Sequence, residues 1–106
     1  AREGPRREGH AVPWPEALVV EARPLHEYGI TALPHSLHMA WDTIRRDVQG
    51  ARTAIAQAAQ GRDVLVVCRR GNDSRAAVHL LDMPRCQNVR GGLRAYADKH
   101  PDFPMY

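Results

Sequence analysis

The chain has 106 residues, of which 43% are hydrophobic and 25% charged, and its formal net charge is +3. This length fits one domain with its own core, and the composition is that of a globular protein. No apolar stretch is long enough to span a membrane, and no signal-peptide pattern opens the sequence, so we expect neither a membrane anchor nor secretion. The net charge is modest and only 6% of the residues are aromatic. The sequence shows no stripe of basic residues interleaved with aromatic ones, as a direct nucleic-acid binder would have. Two cysteines without a disulfide pattern favour free thiols in a reducing compartment, which predicts a cytoplasmic protein.

Residues 1–13 (AREGPRREGHAVP) are charged, rich in glycine and proline, and nearly free of apolar side chains. They are predicted to be a flexible linker or tail. A start without methionine suggests a piece of a longer protein. The folded domain is predicted over residues 14–106.

The first half of the domain is predicted to hold two strands and a helical region. An apolar run over 17–22 predicts a buried strand that ends at Pro24. A short second strand is predicted over 36–39. Asp42 is expected to be a helix N-cap. Apolar residues then recur at helical spacing: Ile44, Val48, Ala51, Ile55 and Ala58.

The rest of the domain is predicted to continue this alternation of strands and helices. Gly50 is expected to split the helical region and Gly61 to close it. Residues 64–67 predict another buried strand, and a helix is predicted from Ser74 to about Asp82. A last strand over 87–89, a helix over 93–99 and a non-helical tail complete the chain. Strands that alternate with helices predict an α/β fold with a mostly parallel central sheet and helices on both faces.

A polar loop follows the 64–67 strand, at the edge of the sheet where ligands bind in such folds. Its sequence is Cys68-Arg69-Arg70-Gly71-Asn72-Asp73. The first N–H groups of the following helix have no partner inside the helix, and the helix dipole is positive there. Both features, together with the arginines, favour a thiolate and indicate a reactive cysteine. The alternative is a structural cysteine packed at the end of a strand.

The loop residues have distinct predicted roles around Cys68. Gly71 allows a tight turn with inward-facing amides. Arg69 and Arg70 either stabilise an anion or are solvated surface charges. Ser74 is expected to act as the helix N-cap, and Asn72 to cap the loop.

Asp73 is expected at the rim of the pocket, where its carboxylate would repel small dianions that approach the cysteine. The alternative is that it caps the following helix. Outside the loop, Arg90 and Arg94 are either partner-binding residues or solvated charges.

Cys86 is expected to be a core residue rather than a second reactive thiol. The six histidines include His35 and His38, but they are not accompanied by a paired metal-ligand motif. No metal site is therefore predicted.

These segments resemble the rhodanese family of sulfurtransferases over nearly the whole chain after the tail. Residues 21–28 (EARPLHEY) are similar to the family's early Asp-x-Arg and Glu-Tyr pattern, residues 33–39 to its second strand, and residues 89–96 (VRGGLRAY) to its double-glycine signature. Residues 68–74 and 103–106 more narrowly resemble the C-terminal rhodanese domain of eukaryotic adenylyltransferase-and-sulfurtransferase enzymes. The chain departs from the family pattern at three places: Glu21 stands where Asp is usual, His35 where Gly is usual, and Tyr96 where Trp is usual.

The resemblance implies that Cys68 carries a persulfide cradled by residues 69–74. A cysteine desulfurase or another rhodanese would donate the sulfur. The acceptor would be the C-terminal glycine of a ubiquitin-like sulfur carrier, in the service of tRNA wobble-uridine thiolation and molybdopterin synthesis. The domain itself needs no cofactor by this resemblance. ATP and zinc would belong to an adenylation domain of the same parent chain, which is absent from this sequence.

Three other functions remain open on the sequence. One is a free-standing thiosulfate sulfurtransferase, and another is a catalytically silent rhodanese that serves as a docking module. A phosphatase of the same fold would need an arginine six residues after the cysteine, where this chain has Ser74 and places Arg75 one step late.

Overall fold

The computed structural model describes residues 14–101, which contain four strands and five helices that alternate for most of the chain. They are β1 (Leu18–Glu21), α1 (Leu25–Ile30), β2 (Leu37–His38), α2 (Trp41–Arg46), α3 (Val48–Ala59), β3 (Val64–Val67), α4 (Asn72–Leu81), β4 (Cys86–Asn88) and α5 (Gly92–Lys99). The predicted linker at 1–13 and most of the predicted tail lie outside the described residues. None of the described helices is long and apolar enough to cross a membrane.

The four strands form one parallel sheet in the order β2-β1-β3-β4. Strands β1 and β3 pair along their full length, from Leu18 with Val64 to Glu21 with Val67. Because all the strands point the same way, their carboxyl ends meet along one edge of the sheet, and the chain segments that follow them are brought together there.

Side chains of the strands alternate between two separate cores. Leu18, Val20 and Val66 face one side, where α2, α3 and α4 contribute their buried residues. Val19 and Val67 face the other side and pack with Leu33 and with Leu93 of α5. The predicted α/β fold, a parallel sheet with helices on both faces, is confirmed.

Helix α1 was not predicted from the sequence. None of its six residues is buried, so it lacks the apolar periodicity that marks a helix in a sequence. Pro24, which was predicted only to end the first strand, occupies the N-cap position of this helix. A proline fits there because it has no N–H to leave unsatisfied.

The helical region after β2 is split into two helices, as predicted, but the break lies at Asp47 and not at Gly50. Asp47, with φ −147°, is both the C-cap of α2 and the N-cap of α3. Its Oδ1 accepts the Gly50 N–H at 2.9 Å. The N-cap of α2 is Ala40, so the prediction for Asp42 is also wrong. Asp42 lies in the first turn, where its charge favours the helix dipole and pairs with Arg46 at 2.9 Å.

Candidate active site

A cavity of about 210 Å³ opens at the carboxyl edge of the sheet, beside the end of β3. The residues that line it come from the segments after β1 and β3 and from the start of α4: Arg23, Pro24, Glu27, Cys68, Arg69, Arg70, Asn72 and Asp73. The topology therefore brings Cys68 and most of the predicted loop residues to one cavity.

The sulfur of Cys68 faces hydrogen-bond donors. Its Sγ accepts the backbone N–H of Gly71 at 3.0 Å and that of Ser74 at 3.4 Å, and it lies 3.3 Å from the Ser74 hydroxyl. Cys68 is 5% exposed, so these donors are only partly shared with water. We call this set the sulfur cradle: the Gly71 and Ser74 amides and the Ser74 hydroxyl. The two amide donors stabilise a negative charge on the sulfur more than they stabilise the neutral thiol.

Gly71 makes the cradle possible through its backbone conformation. Its φ is 95°, in the left-handed region, and a Cβ at this position would lie 2.9 Å from the backbone nitrogen of Gly91. Both the turn and the close approach of the two chain segments therefore require glycine.

The double glycine at the start of α5 supports the loop from behind. A Cβ on Gly92 would lie 2.4 Å from the carbonyl oxygen of Cys68. That close approach lets the first amides of α5 bind the loop: Leu93 donates to the Cys68 carbonyl at 2.9 Å, and Arg94 donates to the Arg69 carbonyl at 2.8 Å. The sequence associated this signature with the fold alone, whereas the structure shows that it fixes the backbone on which the reactive sulfur is carried.

Ser74 is not the N-cap of α4, contrary to the prediction. The helix begins at Asn72, and its N-cap is Gly71. Ser74 is instead fully buried in the first turn, where its hydroxyl lies between the Cys68 sulfur and Asn88 and donates to Asn88 Oδ1 at 2.5 Å. Asn88 was missed by the sequence analysis, because it reaches the site through the pairing of β4 with β3, for which the single sequence carries no signal.

The other loop residues lie on the cavity wall. Arg70, Asn72 and Asp73 are exposed, and Arg69 is partly buried. Asn72, which was predicted to cap the loop, is the first residue of α4. Asp73 lies at the cavity, as expected, in the first turn of α4, where the helix dipole favours a carboxylate.

Arg90 and Arg94 are exposed and do not line the cavity. Arg94 pairs with Asp98 on the surface of α5 at 3.6 Å. Neither arginine therefore lines the cavity, and both side chains are accessible.

A buried ion pair anchors the wall of the cavity at the end of β1. Glu21 accepts the Arg23 Nε–H at 2.6 Å and the Leu33 N–H at 2.7 Å, and Arg23 also donates to the Thr31 carbonyl. Glu21 is 0% and Arg23 is 1% exposed. Glutamate in place of the family's usual aspartate thus ties β1 to the 31–33 segment, which is a structural role.

Cys86 lies at the opposite end of the sheet. It begins β4 and pairs in register with Val64, the first residue of β3. Cys68 follows Val64 by four residues, which corresponds to about 13 Å at the spacing of residues in a strand. Burial raises the pKa of the Cys86 thiol. Both cysteines are free, and the separation keeps Cys86 out of the Cys68 cavity.

No group of three or more His, Cys, Asp or Glu side chains within residues 14–101 is arranged to hold a metal ion. His38 instead bonds the Arg23 carbonyl at 2.8 Å and stacks on Tyr28.

Comparison with known proteins identifies relatives of the whole domain. A family model described as "Rhodanese-like domain" matches residues 9–99. Adenylyltransferase and sulfurtransferase MOCS3-2 of Zea mays is 32% identical over 93 residues, which cover 84% of this chain and 19% of that protein. Adenylyltransferase and sulfurtransferase MOCS3 of Aedes aegypti is 37% identical over 97 residues, covering 84% and 22%. The chain therefore spans about a fifth of these relatives, and the predicted resemblance to their rhodanese domain is confirmed.

Solved structures agree at the level of the fold. A rhodanese-related protein from Thermoplasma volcanium superposes with a TM-score of 0.66 at 20% identity, covering 85% of this chain and 83% of that one. Saccharomyces cerevisiae Ygr203w, described as a homolog of single-domain rhodanese and of the Cdc25 phosphatase catalytic domain, gives 0.63 at 18% identity, covering 89% and 73%. With the family model matched over residues 9–99 and relatives above 30% identity, this chain belongs to the rhodanese-like domain family.

Proposed function

We propose that the chain is a sulfurtransferase domain that carries sulfur as a persulfide on Cys68. The observation that supports this most is the sulfur cradle, in which two backbone amides and a buried hydroxyl face Sγ at the mouth of a cavity. Donors held by a rigid turn stabilise a sulfur anion without reorganising during the reaction. The names of the relatives, which include sulfurtransferase, support the same class of reaction.

In the loading step, the Cys68 thiolate attacks the outer sulfur of a donor persulfide. A sulfur–sulfur bond forms at Cys68, the donor's own sulfur–sulfur bond breaks, and the donor leaves as a thiolate. By the resemblance, the donor is a cysteine desulfurase or another rhodanese.

In the delivery step, the outer sulfur of the Cys68 persulfide attacks the carbonyl carbon of an adenylated C-terminal glycine on a ubiquitin-like sulfur carrier, and AMP leaves. A second thiol then attacks Cys68, so that the thiocarboxylate departs and a disulfide remains for cellular thiols to reduce. The adenylation domain of the parent chain would supply the acyl-adenylate and this second thiol. Thiolation of tRNA and molybdopterin synthesis are the proposed uses of the product, and the cytoplasm, where thiols stay reduced, is the proposed compartment.

Phosphatase chemistry is disfavoured by the same cavity. The sixth residue after Cys68 is Ser74, which is buried, and Arg75 is exposed and does not line the cavity. No guanidinium from that turn is therefore placed to grip a phosphate in two hydrogen bonds.

The test is formation of the carrier thiocarboxylate in a mixture that supplies the adenylating enzyme, the ubiquitin-like carrier, ATP and a persulfide-loaded cysteine desulfurase. We expect the wild-type domain to raise the yield of thiocarboxylate, measured by the intact mass of the carrier. Cys68→Ser should reduce the yield to the level without the domain, and Cys86→Ser should match the wild type. Equal yields with and without the domain would contradict the proposed acceptor, and full activity of Cys68→Ser would contradict the proposed sulfur carrier.

A further inference from the structure

The Ser74 hydroxyl links the reactive sulfur to a side chain on a different strand. Its oxygen is 3.3 Å from Cys68 Sγ and 2.5 Å from Asn88 Oδ1, and Ser74 is completely buried. A hydroxyl has a single proton to donate. In this structure the proton is directed to Asn88, so the lone pairs of Ser74 Oγ remain for the Cys68 side. This arrangement suits a protonated thiol, which donates its S–H to the serine oxygen.

A thiolate at Cys68 needs the opposite arrangement. It has no proton to donate, so the favourable hydrogen bond runs from the Ser74 O–H to the sulfur. The serine oxygen is then left to accept from its other neighbour. An asparagine side chain can meet this need, because rotation of its amide replaces the Oδ1 acceptor by the Nδ2 donor. A carboxylate at the same place could only accept.

We propose that Asn88 is a positioning residue that, by turning its amide, sets the direction of the Ser74 proton and thereby the ease with which Cys68 becomes a thiolate. The inference rests on the proposed function only in taking Cys68 as the reacting thiol. It assigns a role to a residue at the end of β4 that lies outside the Cys68 loop.

The charged groups that share the cavity with Cys68 come from the end of β1, from α1, from the loop and from α4. They are Arg23, Glu27, Arg69, Arg70 and Asp73. All of them are unchanged by a substitution at Asn88. A change at Asn88 therefore tests the amide and the hydroxyl against a constant background of charge.

The experiment measures the rate at which iodoacetamide alkylates Cys68 as a function of pH, in a Cys86→Ser background that leaves one thiol. Asn88→Asp keeps the size of the side chain but removes the donor. We expect the midpoint of the pH profile to rise by about one unit, which makes alkylation about tenfold slower at pH values well below the midpoint. Asn88→Ala should move the midpoint less, because the freed hydroxyl can still turn to the sulfur.

A carboxylate near sulfur also acts through space, and the Ser74→Ala background separates that effect. If the hydroxyl transmits the influence of Asn88, the shift caused by Asn88→Asp should fall to less than half when Ser74 is alanine. An undiminished shift in that background, or no shift with Ser74 present, would overturn the proposal. Thermal melts establish that each variant is folded.

A second measurement needs no change at Asn88. In the wild-type domain, the side-chain amide resonances of Asn88 should move with pH at the same midpoint as the alkylation of Cys68. Flat resonances across that midpoint would also overturn the proposal. Alkylation and resonance shifts do not depend on sulfur transfer, so a normal profile in a domain that fails to load sulfur would count against the proposed function alone.

Discussion

The two ends of the parallel sheet each hold one buried cysteine, but the surroundings of the two sulfur atoms differ. At the carboxyl end, Cys68 faces the sulfur cradle and opens to a cavity. At the amino end, Cys86 packs into the core on the α2–α4 face, and its burial raises the pKa of the thiol. Both side chains are less than a tenth exposed. Burial alone therefore does not make a site; the donors aimed at the sulfur do.

The same contrast extends to the charged pairs at the two ends. Glu21 and Arg23 form a completely buried pair at the carboxyl end, whereas Asp63 and Arg85 pair at 2.7 Å at the amino end with most of both side chains in solvent. We expect Glu21→Ala to lower the free energy of unfolding by about 3–5 kcal/mol, because it leaves the Arg23 charge buried and unpaired. Asp63→Ala, the matched change, should lower it by less than about 1 kcal/mol. Urea denaturation of both variants gives the comparison, and equal losses would contradict it.

Two left-handed glycines sharpen the comparison for the backbone. Gly92 has φ 64° and presses against the Cys68 carbonyl, whereas Gly61 has φ 84° with nothing within 4 Å of an added Cβ. Gly92→Ala should therefore cost about 3 kcal/mol of stability, since the clash adds to the strained conformation. Gly61→Ala should cost only about 1 kcal/mol, from the conformation alone. If Gly92→Ala melted like Gly61→Ala, the close support of the loop by α5 would be refuted.

Replacing Asp73 tests how the charge at the rim of the cavity affects the approach of an anionic substrate. A carboxylate about 5 Å from an approaching negative charge repels it by roughly 3 kcal/mol at an effective dielectric near 20. Asp73→Arg should therefore raise thiosulfate-to-cyanide turnover tenfold or more, each factor of ten corresponding to about 1.4 kcal/mol. Sulfur delivery to a protein acceptor should stay flat or fall.

Asp82→Arg makes the same change in charge at the other end of α4, beside Cys86, and serves as the control. We expect its thiosulfate turnover to stay near that of the wild type. Unchanged thiosulfate turnover in a folded Asp73→Arg variant would contradict the electrostatic explanation. An equal rise in turnover in Asp82→Arg would contradict it too.

The smallest expected effect concerns His35, which has φ 62° where the family usually has glycine. His35→Gly should raise the free energy of unfolding by about 0.5 kcal/mol, because relief of the left-handed strain exceeds the added freedom of the unfolded chain. Arg85, with φ 59° at the amino end, is the matched position. Arg85→Gly should destabilise instead, since it removes the hydrogen bonds to Asp63 and Gly61. A loss of stability in His35→Gly would contradict the strain argument.

The sequence predicted the parallel sheet well because its two central strands, β1 and β3, are short and largely apolar runs. Helix α1 could not be predicted in this way, since a surface helix of six residues with no buried side chain leaves no periodic pattern. The break between α2 and α3 was misplaced for a different reason. Glycine lowers helix propensity, but at Gly50 the backbone N–H is held by Asp47, and it is the aspartate that caps.

The loop around Cys68 was predicted as a unit, but the role of Ser74 and the contributions of residues outside the loop were not. Serine is a residue type that often forms an N-cap, but the left-handed turn at Gly71 starts the helix earlier. Ser74 therefore lies in the first turn, where it is buried. Asn88 and Arg23 reach the site only through the register of the strands, which a single sequence does not reveal. Contacts between distant segments are therefore the part of the site that required the structure.

The most direct test of the account is to locate the transferred sulfur. After incubation with a persulfide-loaded cysteine desulfurase, the wild-type domain should gain one sulfur atom that reducing agents remove, and peptide mapping should place it on Cys68. The Cys86→Ser variant should gain the same mass, and Cys68→Ser should gain none. Sulfur found on Cys86, or no reducible gain in the folded wild-type domain, would contradict the claim that the carboxyl end of the sheet builds a persulfide carrier.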